Sequence, residues 1–331
     1  MTTKIDNQIE LFRDEFDKVR TEIGKVIVGN EEVIDGTLVS LLSKGHVLLE
    51  GIPGVGKTKI VSTVADVLQL KFSRIQFTPD LMPGDVVGSD IMHETDTGEK
   101  HLAFQNGPIF TNILLADEIN RATPKTQSAL LEAMQERSVT VGVTTHKLDP
   151  PFFVLATQNP VEMEGTYPLP EAQLDRFFYK LRIKYPESEH MHEIMNRTTT
   201  STEPVAKTVL DRDQIVEMRE TARNVPIAHS IQDYAIRLTL ATNPGNEHTH
   251  PLTEKYVRFG SSPRGTQALV VGSKVNALVD GRVHVACKDI RSYFLPAFRH
   301  RVLLNFEGEA DRVDPDEILE TIMNDIPEPQ E

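Results

Sequence analysis

Residues 51–58 constrain the fold of this chain more than any other segment. They read Gly-Ile-Pro-Gly-Val-Gly-Lys-Thr and match the phosphate-binding pattern G-x-x-x-x-G-K-[ST]. A short apolar run precedes the segment and a helical pattern follows it, which is the strand–loop–helix context that such a loop needs. The glycines would let backbone N–H groups close around phosphates, and the helix would add the positive end of its dipole. The pattern predicts that Lys57 reaches the β- and γ-phosphates and that Thr58 ligates Mg²⁺. The candidate nucleotide-binding residues here are Gly51, Ile52, Pro53, Gly54, Val55, Gly56, Lys57, Thr58 and Lys59.

Short apolar runs, each bounded by turn-forming residues, alternate with helical patterns along the first half of the chain. The five runs cover residues 47–49, 72–77, 113–116, 152–156 and 177–183. This alternation predicts an α/β fold, a P-loop core with a parallel five-stranded sheet covered by helices. Residues 86–104 alternate around the turn signal Asp96-Thr97-Gly98, and residues 138–148 also alternate, so we expect a hairpin in each.

The rest of the chain is predominantly helical in pattern. Residues 8–42 have helical spacing with a break at Gly29 and Asn30, and the composition shifts near 186–208, where Thr and Ser accumulate. We therefore predict two domains, a P-loop ATPase core over residues 1–186 and a small α-helical lid over residues 187–331. The predicted lid helices are 211–224, 230–242, 263–280, 288–304 and 314–325.

Charge and composition exclude several classes of function. The net charge is −14, and the last 25 residues supply ten carboxylates against one cation, Arg312. Such acidity disfavours broad binding to nucleic acid or to an anionic membrane. The one cysteine, Cys287, excludes an internal disulfide and a cysteine-based zinc cluster. Neither an apolar signal core nor a run of about 18 apolar residues is present, so we expect a cytoplasmic protein without a membrane span.

Polar side chains end two of the predicted strands downstream of the phosphate-binding loop. Asp117 and Glu118 follow an apolar run, where Asp117 would hold Mg²⁺ and Glu118 would polarise the attacking water as general base. The alternative is an ordinary strand end. Asn159 ends the next strand and could orient the same water; alternatively it starts a turn before Pro160.

Two arginines precede elements that could bring them to a phosphate. Arg176 stands just before the last predicted strand and could act on a neighbouring subunit's γ-phosphate, or form a surface ion pair with Asp175 or Glu171. Arg264 lies in the first turn of a predicted helix, where the dipole disfavours a cation. It therefore needs a partner, either a bound phosphate or a structural acid.

Two His-x-His pairs are candidate metal ligands by residue type. On a helix such a pair points in different directions, and neither has a nearby cluster of acids to complete a site. We therefore expect solvated surface residues at His190, His192, His248 and His250.

Taken together, these blocks resemble the AAA+ ATPase superfamily and, within it, the MoxR family of the helix-2-insert clade. The resemblance covers nearly the whole chain and is most specific at Ala156-Thr157-Gln158-Asn159-Pro160 and across residues 164–177. The other matching blocks are residues 46–58, 74–81, 107–121 and 126–136.

The resemblance implies roles for particular residues. Asn159 corresponds to sensor 1, Arg176 to the arginine finger and Arg264 to sensor 2, acting on its own or a neighbour's nucleotide. Val28 and Gly29 stand where this fold contacts adenine. The two predicted hairpins would face the central pore of a hexamer, the first as the helix-2 insert.

We therefore expect an enzyme that binds ATP and Mg²⁺, hydrolyses ATP to ADP and phosphate, and remodels a protein client. The resemblance implies chaperone-like maturation of a protein complex, including metal-cofactor insertion, with a partner that carries a von Willebrand factor A domain. The alternative is a nucleic-acid motor or a magnesium-chelatase-like ATPase subunit of the same clade, which the net charge disfavours. A nucleotide-gated scaffold with little turnover is disfavoured by Glu118, Asn159 and Arg176 together.

Overall fold

The computed structural model describes residues 2–94, 100–159, 165–201 and 203–329. Within these ranges a parallel sheet flanked by helices is followed by a mainly helical region. The strands are β1 (Val47–Glu50), β2 (Phe72–Gln76), β3 (Gly88–Glu94), β4 (Lys100–Asn106), β5 (Ile113–Asp117), β6 (Ser138–Val141), β7 (Thr144–Lys147), β8 (Phe153–Gln158), β9 (Tyr179–Arg182), β10 (Val257–Phe259) and β11 (Leu303–Leu304). The helices are α1 (Thr2–Gly24), α2 (Glu31–Leu42), α3 (Lys57–Val67), α4 (Pro83–Val87), α5 (Pro124–Glu136), α6 (Glu171–Leu174), α7 (Ser188–Thr198), α8 (Arg212–Arg223), α9 (His229–Ala241), α10 (Pro251–Tyr256), α11 (Pro263–Val279), α12 (Cys287–Phe298), α13 (Phe306–Ala310) and α14 (Pro315–Asp325), with a 3₁₀ turn at Ile119–Arg121.

The central sheet has five strands in the order β2-β5-β8-β1-β9, and every neighbouring pair is parallel. In β1, Val47 lies opposite Leu155 of β8 on one side and Tyr179 of β9 on the other. Both β5 and β8 are buried along nearly their whole length, as a parallel sheet covered on both faces requires. The predicted sheet is confirmed. Because the strands point the same way, their carboxyl ends share one edge of the sheet, the carboxyl edge, and their amino ends share the opposite amino edge.

Apolar side chains cover both faces of this sheet. Leu49 points into one core, which includes α1, α2 and α3 and continues into α8, α9, α11, α12 and α14. Leu48 points into a second core, which lies under α5. The alternation follows from the two-residue period of a strand. The helical region thus shares an apolar core with the sheet. The predicted domain boundary between residues 186 and 187 stays a prediction.

Both predicted hairpins form. β3 pairs with β4 and β6 pairs with β7, each antiparallel. Residues 86 and 87, which we assigned to the first hairpin, instead end α4. The turn signal Asp96-Thr97-Gly98 lies outside the described residues.

One predicted helix is wrong at its end. The helix expected over residues 288–304 stops at Phe298, and residues 303–304 form β11, which pairs with β10. The apolar residues Val302, Leu303 and Leu304 continue a helical spacing, but their strand partner is about 45 residues away in sequence and invisible to a local pattern. The helices α10 and α13 were not predicted, because six and five residues are too few to show a helical period. No helix in the described ranges is long and apolar enough to cross a membrane.

Candidate nucleotide site

The phosphate-binding loop connects β1 to α3 at the carboxyl edge. Gly54 and Gly56 have φ angles of +84° and +85°, a conformation that glycine adopts without strain, and Gly56 is the N-cap of α3. The Lys57 ammonium donates a hydrogen bond of 2.8 Å to the carbonyl of Gly51, so it lies folded across the loop. The first turn of α3 holds no acidic residue, which leaves its N–H groups and dipole available to an anion.

Glu50, the residue before the loop, is held by two cations of β9. Lys180 lies 2.8 Å from its carboxylate and Arg182 lies 3.1 Å from it. Burial opposes ionisation of Glu50, but the two cations outweigh that and hold its pKa below the ordinary value. Arg182 also contacts Asp314 and Asp316 at the start of α14. This charge network fixes the base of the loop to the C-terminal helix.

The acidic pair after β5 is locked in place by neighbouring strands. Asp117 is only 7% exposed and accepts a hydrogen bond of 2.6 Å from the Thr157 hydroxyl and one of 2.7 Å from the Arg74 guanidinium. Glu118 has a φ of +54°, unusual for a residue with a side chain, and its backbone N–H donates to the same Thr157 hydroxyl at 2.8 Å. The Glu118 carboxylate accepts from Gln76 at 2.9 Å. This geometry turns Asp117 inward and aims Glu118 out of the carboxyl edge.

Asn159 directly follows β8, which lies between β5 and β1, and the residue is 5% exposed. The sheet order therefore brings Asn159 to the carboxyl edge between Glu118 and the phosphate-binding loop. Pro160, on which the alternative turn interpretation rests, lies outside the described residues.

A cavity of about 170 Å³ lies beside the candidate adenine-contacting segment, and Val28, Arg182, Tyr185 and His190 line it. Gly29 has a φ of +65°, and a Cβ there would lie 2.9 Å from Nδ1 of His190. His190 is thus half-buried against Gly29, so it is in part a packing residue of this cavity and not only the solvated surface residue that we expected.

The second His-x-His pair also has a structural member. His250 is the N-cap of α10 and its Nε2 lies 3.1 Å from Asp325. Among the residues that the structure describes, no group of three or more His, Cys, Asp or Glu side chains could hold a metal ion.

The two candidate arginines lie at the amino edge. Arg176 and Arg264 line one cavity of about 440 Å³ together with Lys44 and His46, the residues that lead into β1. β1 has four residues, about 13 Å at the usual rise, and the phosphate-binding loop follows its other end. Neither arginine therefore faces the phosphate-binding loop of its own chain.

The contacts of Arg176 and Arg264 bear on the alternatives that the sequence left open for each of them. Arg176 donates to the carbonyl of Leu131 at 2.8 Å and pairs with neither Asp175 nor Glu171. Arg264 lies 3.7 Å from Asp175, so its partner in this structure is a structural acid, and it remains about half exposed.

Sequence reasoning missed several residues that support this site. Arg74, Gln76 and Thr157 hold the two acids, and Arg301 holds Asp175 at 2.8 Å. Arg74 and Gln76 alternate with buried Ile75 on β2. Polar side chains on a strand beside the acids were therefore the sequence signal that could have identified these two residues. Nothing local in the sequence connects Arg301 to Asp175.

Sheet order, phosphate-binding loop and helical region together define a P-loop ATPase of the AAA+ class. A family profile described as "ATPase family associated with various cellular activities (AAA)" matches residues 46–179, and an "AAA lid domain" profile matches residues 250–322. A crystal structure of a protein from Cytophaga hutchinsonii ATCC 33406 that is assigned as an ATPase superposes with a TM-score of 0.90, at 38% identity over 99% of both chains.

Curated relatives identify the family. Chaperone MoxR1 of Mycobacterium tuberculosis is 42% identical over 93% of this chain and 81% of its own length. The uncharacterised protein YeaC of Bacillus subtilis is 42% identical over 94% of both chains, and protein MoxR of Methylorubrum extorquens is 30% identical over 98% of both. The chain belongs to the MoxR family of chaperone-like AAA+ ATPases.

Proposed function

We propose that this chain is a Mg²⁺-dependent ATPase whose catalytic site is completed by a second copy of itself, in a hexameric ring. The observation that carries the proposal is the separation of the two halves of the site across the sheet. The phosphate-binding loop and Glu118 lie at the carboxyl edge, whereas Arg176 and Arg264 share a cavity at the amino edge. A head-to-tail arrangement of copies would bring the arginines of one copy to the nucleotide of the next.

Each half has a distinct task in this proposal. Lys57 and the backbone of the loop bind the β- and γ-phosphates, and Glu118 accepts a proton from the attacking water while Asn159 orients that water. The cavity beside Val28 and Gly29 takes the adenine. Arg176 and Arg264, from the neighbouring copy, stabilise the negative charge that develops on the γ-phosphate.

The residues present fit a magnesium ion. Mg²⁺ is usually held by one or two protein oxygens together with the substrate phosphates. Thr58 lies in the first turn of α3, and the buried Asp117 carboxylate is held at the same edge by Thr157. When bound, the ion would neutralise phosphate charge; Thr58 and Asp117 would hold it.

We infer that hydrolysis is coupled to chaperone-like remodelling of a protein client, including a metal-cofactor pathway or a partner with a von Willebrand factor A domain. Exposed apolar side chains on the two hairpins support a protein client. Met92 and Leu102 form a cross-strand pair on β3 and β4, and Val143 at the tip of the other hairpin is fully exposed. Turnover that is unchanged by single-stranded DNA would distinguish this proposal from a nucleic-acid motor.

Mixed oligomers test the shared site. Arg176→Ala should bind ATP with native affinity and lose most hydrolysis, because the P-loop of the same chain is intact. Lys57→Ala should lose nucleotide binding. Mixing the two variants should restore part of the turnover, since a Lys57→Ala copy still presents Arg176 to an Arg176→Ala neighbour. Full activity of Arg176→Ala alone, or no recovery at any mixing ratio, would contradict a site shared between copies.

A further inference from the structure

Five cationic side chains gather at the amino edge outside the two candidate arginines. This basic cluster consists of Lys44, Arg137, Arg219, Arg223 and Lys274. Hydrogen bonds tie its members to one another's backbone, from Arg137 to the carbonyl of Lys44 at 3.3 Å and from Lys274 to that of Arg223 at 3.1 Å. Within the described ranges none of the five forms an ion pair, although the chain as a whole carries a net charge of −14. Positive charge is thus concentrated where the described residues form no ion pair with it.

Arg219 is the most unusual member, because it is only 6% exposed. Its Nε donates to the carbonyl of Leu41 at 2.9 Å, but its Nη2 is buried without a hydrogen-bond partner. Burial, reinforced by the nearby Arg137, lowers the pKa of Arg219 to about 10. A buried charged donor with no acceptor is costly, and an approaching anion would relieve that cost.

The pKa of Lys44 shows that the charges of the cluster act on one another. Burial together with Arg219, Arg137 and Arg223 lowers its pKa, and Glu220 is the acid that acts against them. Both Arg137 and Arg219 donate to carbonyls near the C-terminus of α2, where the helix dipole favours cations. That dipole amounts to about half an elementary charge, far less than five cations. Most of the positive charge therefore has no ion-pair partner among the residues that the structure describes.

The two ends of α2 carry opposite charge on opposite edges of the sheet. Lys44 lies just beyond its C-terminus and lines the cavity that contains Arg176 and Arg264. Glu31 and Glu32 occupy its first turn, are exposed, and line the cavity beside Val28. The helix has 12 residues, about 18 Å, so the acidic and basic ends face different neighbours.

Further acids flank the same acidic end. Glu187 and Glu189, at the start of α7, are exposed, and Glu187 lines the same cavity as Glu31. Glu32 lies 3.7 Å from Lys184, but both side chains are more than 80% exposed, so this pair is weak and open to exchange.

We propose that the basic cluster of one copy docks on the acidic end of α2 and the start of α7 in a second copy. The proposal rests on the proposed function, because the head-to-tail arrangement that brings Arg176 to a neighbour's nucleotide also brings these two surfaces together. It adds an electrostatic contact at the cavity that we assign to adenine, which Glu31, Glu32 and Glu187 line. Ionic contacts at an interface select the partner's orientation and raise the association rate, and salt screens them.

Charge reversal at exposed members of the cluster tests the proposal. Lys44→Glu/Arg223→Glu should raise the subunit dissociation constant at least tenfold at 50 mM NaCl, measured by mass photometry with a non-hydrolysable ATP analogue. The native chain should dissociate progressively as NaCl rises to 500 mM, and the variant should show little dependence on salt. Lys288→Glu is the matched control. Lys288 lies in the first turn of α12, 2.6 Å from Asp280, and this variant should assemble as the native chain does.

Swapping both charges separates docking from damage to the fold. The fourfold variant Lys44→Glu/Arg223→Glu/Glu31→Lys/Glu32→Lys should recover at least part of the assembly lost by the twofold variant, because each surface again meets its opposite. Failure to recover in a variant with native circular dichroism and native affinity for the ATP analogue would overturn the proposal. Native-like assembly and salt dependence of the twofold variant would also overturn it.

Two further results would refute the docking contact in other ways. If the twofold variant loses affinity for single-stranded DNA while its assembly is unchanged, the cluster is a nucleic-acid surface. If the twofold variant assembles normally but Arg176→Ala still requires a complementing copy, the proposed shared site stands and only the charge contact fails. If Arg176→Ala is fully active alone, the proposed function fails.

Discussion

Asp175 is the residue whose removal should be most informative, because it joins the helical region to the amino edge. It accepts hydrogen bonds of 2.8 Å from Arg301 and 2.9 Å from the Ser262 hydroxyl, and lies 3.7 Å from Arg264. Arg301 is only 3% exposed at its side chain, and Asp175 is 20% exposed. Asp175→Asn keeps the shape of the side chain and removes the charge, so Arg301 would remain buried without a carboxylate.

The expected cost follows from these contacts. Breaking a buried ion pair by removing one partner costs about 3–5 kcal/mol. Arg301 would still donate to the carbonyls of Phe177, Phe178 and Ala297, which places the cost at the lower end, about 3 kcal/mol. For a chain of this size that corresponds to a melting temperature lower by roughly 4 °C.

Thermal and denaturant unfolding of Asp175→Asn would measure this cost. Glu171→Gln is the control, since it breaks an ion pair with Arg258 in which both side chains are more than half exposed, worth at most about 1 kcal/mol. Affinity for nucleotide at 20 °C should be native in both variants, because the phosphate-binding loop lies at the other edge of the sheet. Equal and small losses of stability in the two variants would refute the reasoning.

Three other substitutions test the site and its support. Lys57→Ala should weaken ATP binding at least tenfold in an equilibrium titration with a fluorescent nucleotide, and native affinity would contradict its phosphate contact. Glu118→Gln should bind ATP with native affinity and lose about 10²-fold or more in turnover, and unchanged turnover would remove Glu118 as the general base. His46 is buried, with its Nε2 near the carbonyl of Met134, and burial lowers its pKa to about 4. The folded state therefore resists protonation of His46, whereas the unfolded state takes up the proton below about pH 6.5. Stability from this residue is present above pH 6.5 and is lost as pH falls towards 4, about 2 kcal/mol between pH 7.5 and 5.0. Subtracting the unfolding free energies of His46→Gln from those of the native chain at the two pH values isolates this loss, and no difference would show that His46 is not held neutral.

The lid shows where a local pattern fails. The boundaries of α8, α9, α11 and α14 lie within about two residues of the predicted ones because their apolar spacing and caps are local signals. Ser262, for example, caps α11 by accepting from the N–H of Arg264 at 3.1 Å. The end of α12 was wrong, because β11 is defined by a partner strand in a distant part of the chain. Local periodicity cannot register such a partner.

The candidate site shows the same difference between local signals and long-range contacts. The sequence by itself determined the phosphate-binding loop, the acids after β5 and the candidate Asn and Arg residues, since each depends on residue type and short spacing that a nucleotide site requires. Only the tertiary structure decided which of them share an edge of the sheet. Strand order comes from long-range pairing, and it separates Arg176 and Arg264 from the loop of their own chain.

The same reason explains the residues found only in the structure. Thr157, Arg74 and Gln76 acquire their contacts with the two acids because β8 and β2 flank β5. The basic cluster forms because α2, α5 and α8 end near one another and beside Lys274 of α11. These contacts join residues that lie tens to more than a hundred positions apart in the sequence, so no local pattern predicts them. The residue types decided which chemistry is possible, and the tertiary structure decided which of these residues come into contact.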